Sequence, residues 1–139
     1  MYKLFQRILA LALTLGLLLS LAATAFAVEA DEETISISTA EELVEFSASC
    51  RLDTWSENLT VELENDISLE GVAFTPIASF SGTFHGNGYT ISGLSLSEGL
   101  SLAGLFQRVQ KDALIEDLNV SGTVKATSTC EAAGGLAGR

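Results

Sequence analysis

The chain has 139 residues, 47% of them hydrophobic, and carries a formal net charge of −11 from 18 Asp and Glu against 7 Lys and Arg. That balance excludes nucleic acid and anionic lipid headgroups as partners, since both are held by clustered Lys and Arg. The length allows one small domain, and the 2 cysteines lack the C-x-x-C spacing that zinc or thioredoxin-type redox chemistry uses.

Lys3 and Arg7 open the chain with a short basic region. Ile8 to Ala23 is almost wholly apolar, broken only by Thr14, Gly16 and Ser20, and runs into Ala25-Phe26-Ala27. A basic end, an apolar run and an A-x-A site together form a secretory signal, assigned to residues 1–27. The apolar run stops short of the roughly 20 residues a membrane span needs, so no membrane attachment is expected after cleavage. Residues 28–139 keep every Asp and Glu but lose Lys3 and Arg7, which takes the net charge from −11 to −13. No D-x-[DN]-x-[DN]-G loop is present, so the acidic surface is read as a solubility device, and neither a metal nor a cofactor is expected.

Residues 28–38 read as an acidic leader and first strand: Val28 to Thr34 as a flexible leader, then Ile35 and Ile37 alternating with serines. Thr39 followed by Glu42 is a capping box, and Leu43, Val44, Phe46 and Ala48 supply an apolar stripe behind it. The spacing predicts a helix over Ala40 to Ser49, within a capping segment 39–50. From 51 to 139 the pattern is strand and turn. Leu59, Val61 and Leu63 alternate with Thr60, Glu62 and Glu64; Ile67 and Leu69 follow, and Pro76 marks an edge or corner. His85-Gly86-Asn87-Gly88 is turn chemistry, because Gly and Asn tolerate positive φ. Tyr89 to Ser97 and Leu114 to Val124 resume the strand pattern.

Self-similarity links these pieces. Ile91-Ser92-Gly93-Leu94-Ser95-Leu96 is echoed by Ile115-Glu116-Asp117-Leu118-Asn119-Val120, 24 residues on. Ala103-Gly104-Leu105-Phe106 is echoed by Gly134-Gly135-Leu136-Ala137, 31 residues on. Short strands repeated at such periods with Gly and Asn corners, and no helices between them, point to an all-β fold of the parallel β-helix (solenoid) type. An immunoglobulin-like sandwich is the structural rival, but it does not account for the repeated I-x-x-L-x-[LV] phrase. The expected buried stack is Phe80, Phe84, Ile91, Leu94, Leu96, Leu105, Phe106, Leu114, Leu118 and Val120. The capping helix is expected to shield one end of it. The chain stops inside a G-G-L-x-G phrase, and more coils are expected to follow Arg139.

The phrase Phe80-Ser81-Gly82-Thr83-Phe84-His85-Gly86-Asn87-Gly88-Tyr89-Thr90-Ile91-Ser92-Gly93-Leu94, then Gly104-Leu105-Phe106-Gln107, then Gly134-Gly135-Leu136-Ala137-Gly138, resembles the bacterial GLUG-motif proteins. The resemblance covers roughly residues 74 to 139. It departs at Gln107, where Gly is preferred, and at His85, where Asp is frequent. It implies a right-handed β-helix, an extracellular or wall-associated location, and occurrence beside adhesin-like arrays or IgA-specific metallopeptidases. It implies no reaction.

Individual residues point the same way. His85 is the only histidine, has no Ser or Cys nucleophile at a telling spacing, and is read as a structural or solvated corner residue. H-E-x-x-H is absent. Glu116 and Asp117, adjacent on a strand, face opposite ways and do not form an acid–base pair. Asp53, Glu57 and Asp66 are read as caps and turn braces. Trp55 with Tyr89 would make an aromatic sugar platform, but a lone Trp beside charges is read as a packing residue. Asn58-Leu59-Thr60 and Asn119-Val120-Ser121 match the N-glycosylation sequon, both on predicted strands. A Cys50–Cys130 disulfide is chemically allowed in an exported chain, yet two buried free thiols are expected. No catalytic, cofactor or metal residues are assigned, and the chain is not expected to be an enzyme. The expected function is a secreted or cell-surface interaction scaffold binding an extracellular protein or glycan. The alternatives are an accessory segment of a larger secreted metallopeptidase and a carbohydrate-active β-helix.

Overall fold

The computed structural model describes residues 32–96 and 99–139; the signal segment assigned to 1–27 lies outside them. Strands β1 (Glu33–Ile37), β2 (Leu59–Leu63), β4 (Thr83–His85) and β7 (Leu114–Glu116) stack in chain order into one parallel sheet. Strands β3 (Ile67–Ser68), β5 (Thr90–Leu96) and β8 (Asn119–Val124) form a second. Strands β6 (Leu102–Ala103) and β9 (Ala132–Ala133), with the parallel bridges Ile77 to Phe106 and Phe106 to Ala137, form a third face. The chain visits the three faces in turn and comes back one strand further along each time, so the fold is a parallel β-solenoid of about four turns.

Register explains the interior. Ile35, Val61, Phe84 and Ile115 lie opposite one another along the first sheet, and Ile67, Ile91 and Val120 along the second. Because side chains alternate across a strand, these apolar columns point inward while Thr60, Glu62, Thr83 and His85 point outward. The echo spaced at 24 residues is therefore not the stacking register. Ile91 faces Val120, and Ile115 faces Phe84. The two phrases are alike because both supply inward apolar residues, but they occupy different faces. The echo spaced at 31 holds where Phe106 bridges Ala137.

Helix α1 (Ala40–Ser49) follows β1 and stands in for the other two faces of the first turn. Its start is the capping box: Thr39 Oγ1 accepts from the Glu42 amide at 3.2 Å, and Glu42 Oε2 accepts from the Thr39 amide at 3.1 Å. The inward stripe differs from the expected one. Leu43, Phe46, Ser47 and Cys50 are buried, Val44 is half-buried and Ala48 is exposed. Those four follow the i, i+3, i+4, i+7 rhythm of one helix face, and Ser47 is admitted because its hydroxyl donates to the Thr75 carbonyl at 2.5 Å. The leader also ends earlier than expected, since Glu33 and Thr34 already belong to β1.

Phe46 carries α1 into the core. Its ring lies 6.1 Å from Phe80 and 6.2 Å from Phe84, and Phe106 lies 5.4 Å from Phe80 and 5.8 Å from Phe84. Tilted and edge-on rings at these spacings add attraction beyond simple burial. Burial then fades along the axis. Phe84 and Ile91 are fully buried, whereas Leu118 and Val120 are only half-buried and Leu114 is 48% exposed, which removes Leu114 from the expected stack. Leu114 sits in register with the outward Thr83, so strand alternation turns it to solvent.

The corner between β4 and β5 shows why Gly and Asn are needed. Asn87 and Gly88 take φ of 52° and 78°, the left-handed region in which Asn and Gly are least strained. Gly86 has an ordinary φ, but a Cβ there would collide with the backbone of Asp117 and Leu118 in the next turn. The glycine is required by close stacking rather than by its own dihedral angles.

Candidate functional site

The polar outer surface of the four-stranded sheet carries the densest arrangement of side chains with chemical potential. Its outward positions form two columns in register. One is Thr34, Thr60, Thr83 and Leu114; the other is Ser36, Glu62, His85 and Glu116. Parallel stacking holds neighbours in each column about 4.8 Å apart.

His85 is the last residue of β4, not a corner residue as expected, and it sits between two carboxylates. Its Nδ1 lies 2.7 Å from Glu116 Oε1, and Nε2 stands 3.9 Å from Glu62 Oε1. The first distance is within hydrogen-bond range; the second is too long for one. Glu62 is held from its other side by Asn87, whose Nδ2 donates to Oε2 at 2.7 Å. The imidazole thus has the oriented partner that its sequence context did not reveal. The hidden signal is register: Glu62, His85 and Glu116 are one turn apart each, but turns of unequal length disguise the repeat.

An imidazole ordered by a carboxylate is half of a hydrolytic relay. The other half is a nucleophile at the second nitrogen, and here Nε2 faces Glu62. What the row can do is tie three turns together and present alternating proton acceptors and donors to solvent. Among the described residues no group of three or more His, Cys, Asp or Glu is placed to hold a metal ion.

The remaining candidates are dispersed. Asp117 lies just beyond β7 with a φ of 51°, so Glu116 and Asp117 are not two faces of one strand as expected. Asp66 braces the next turn, its Oδ1 accepting from the Thr90 amide at 2.8 Å. Asp53 contributes its carbonyl to Gln110 Nε2 at 2.9 Å. Glu57 lines a polar surface groove of about 290 Å³ with Asn58, Ser81, Gln110, Lys111 and Asp112. Trp55 is 38% exposed and meets Phe46 edge-on at 6.0 Å; among the described residues no aromatic contact joins it to Tyr89. Asn58 precedes β2 with a φ of 60°, off the strand where the sequon was expected, while Asn119 does begin β8.

Both cysteines are free. Cys50 is fully buried, and that burial pushes its thiol pKa up to about 12. Cys130 is only half-buried, contrary to expectation, with Sγ 3.1 Å from the Ala132 carbonyl. It lies in the last turn, where no further coil covers it among the described residues.

Comparison with known proteins brings no match to this chain, neither from family models, nor from curated proteins, nor from solved structures.

Proposed function

We propose that the chain is a non-catalytic interaction module of a secreted or cell-surface protein, an adhesin-like β-helical scaffold. The observation that carries the proposal is the in-register outer surface, with Thr34, Thr60 and Thr83 in one column and Ser36, Glu62, His85 and Glu116 in the next. A rigid ladder with one rung per turn suits a repetitive partner such as a polysaccharide or a matrix protein, because many weak contacts held on one frame add their effect. The secretory pattern of residues 1–27 and the resemblance to GLUG-motif proteins support the same reading. The pairing of His85 with two carboxylates supports a structural rather than a catalytic histidine.

The test has two arms. The chain is applied to arrays of matrix proteins and extracellular glycans, and saturable binding is expected that a Thr60→Arg, Thr83→Arg double variant removes and Ser92→Arg spares. In parallel, peptide and polysaccharide substrates are incubated with the chain and with His85→Ala. Turnover by the parent that disappears in a folded His85→Ala variant overturns the non-catalytic reading.

A further inference from the structure

The solenoid end that carries α1 has a groove with features of its own. Beside β1 lies a notch of about 220 Å³, floored by Ile35, Phe46 and Trp55 and rimmed by Glu42 and Glu45. One edge of β1 pairs with β2, and no other described strand pairs with it. The Ile37 carbonyl accepts from the Glu64 amide at 2.9 Å, which fixes the sides: Ile37, Ile35 and Glu33 bond toward β2. Thr34 and Ser36 therefore turn their amides and carbonyls to the open edge. Ser38 shares that side, but its amide is already taken by Glu42 Oε2 at 2.7 Å. The open stretch is thus short, and it ends at the capping box.

We propose that this groove, between the free edge of β1 and helix α1, binds an extended peptide that places an apolar side chain on the Trp55 floor and a Lys or Arg two positions away against Glu45. The inference rests on the interaction-module reading and sharpens it by naming a surface and a partner class. Strand addition uses main-chain bonds for affinity and alternate side chains for selectivity, and residues two apart in the added strand face the same side. The charge follows from the surroundings. Arg51 is the sole Lys or Arg among residues 32–96, and Glu45 pairs with no cation among the described residues. Trp55, 38% exposed in the notch, offers a ring face on which a guanidinium gains further attraction.

The test is a titration of the ¹⁵N-labelled chain with the peptide acetyl-Thr-Ile-Thr-Arg-Thr-Val-amide, followed by NMR. Shifts are expected at the Thr34 and Ser36 amides and at the Trp55 indole N–H, and not at Ser92 or Thr123. Replacing the peptide's Arg by Glu, or Glu45 by Lys in the protein, weakens binding by roughly fivefold; the swapped pair together restores it. Absence of shifts at millimolar peptide, shifts elsewhere on the surface, or indifference to the charge swaps overturns the proposal. So does a concentration-dependent dimer dissolved by Trp55→Ala, which assigns the groove to a second copy. Each of these failures leaves the array and turnover results of the broader reading untouched, so the two stand or fall separately.

Discussion

Asn87 donates its side-chain amide to the Leu63 carbonyl at 3.0 Å, so the corner of one turn is tied to the end of the strand in the turn before it. The same nitrogen reaches Glu62 Oε2, and the residue itself holds a φ of 52°. One side chain thus serves the local turn and the stacking at once. Asn87→Gly keeps the turn geometry and removes the ties, and is expected to cost about 1 kcal/mol. Asn87→Ala adds the left-handed penalty for a residue with a Cβ, a further ~1 kcal/mol. Urea unfolding of both variants separates the two contributions; equal losses would show that the inter-turn bonds carry nearly all of the effect.

Glycines in this fold differ in kind, and substitution distinguishes them. Gly86→Ala drives a methyl into the backbone of Asp117 and Leu118, where neither partner is the flexible end of a side chain. Gly135→Ala meets nothing within 4 Å. The first is expected to lower the thermal midpoint sharply or to prevent folding. The second is expected to leave it within a degree or two, as for most surface changes. Circular dichroism melts of the pair check this.

Phe84 is fully buried and touches rings from α1, the second turn and its own turn. Phe84→Ala is expected to lose about 3–5 kcal/mol, which for a domain this small approaches complete unfolding. Leu114→Ala, at a 48% exposed position, is expected to change stability by about 0.5 kcal/mol or less. Phe84→Leu, which keeps much of the volume, allows a measurable intermediate value if the alanine variant does not fold.

The two thiols are expected to react unequally. At pH 8, Cys130 is labelled by iodoacetamide within minutes to hours while Cys50 stays unmodified until denaturant is added; mass spectrometry of the digest reads both. The raised pKa of Cys50 also sets a sign for stability. The folded state keeps the proton that the unfolded chain releases, so stability is intact below the unfolded thiol's pKa. It then falls as pH rises from the free thiol's 9.0 toward about 12. The slope attributable to this one proton is at most ~1.4 kcal/mol per pH unit. Cys50→Ala is expected to flatten that part of the pH profile, and an unchanged slope would assign it to other groups.

How much of this was legible in the linear chain varies with the range of the interaction involved. The capping box and the bounds of α1 were readable because Thr39 and Glu42 act within a single helical turn. The Asn87-Gly88 corner was readable for the same reason, since positive φ is a preference of the residues themselves. The solenoid itself was readable from alternation and repetition, which depend only on each strand burying one face. The inward side of α1 was not, because Ser47 is buried through a bond to Thr75, a partner from another part of the chain.

Length, charge, the apolar alternation, the helix start and the turn chemistry were decided by the sequence itself, because each rests on neighbours a few positions apart. Tertiary structure alone decided which turn stacks on which, and hence that Ile91 meets Val120 and that His85 stands between Glu62 and Glu116. The physical reason is that the turns differ in length: loops at the corners absorb extra residues at little cost, so sequence spacing ceases to measure distance along the axis. The backbone hydrogen bonds of the parallel ladder set that register instead, and the outward columns of the first sheet are its consequence.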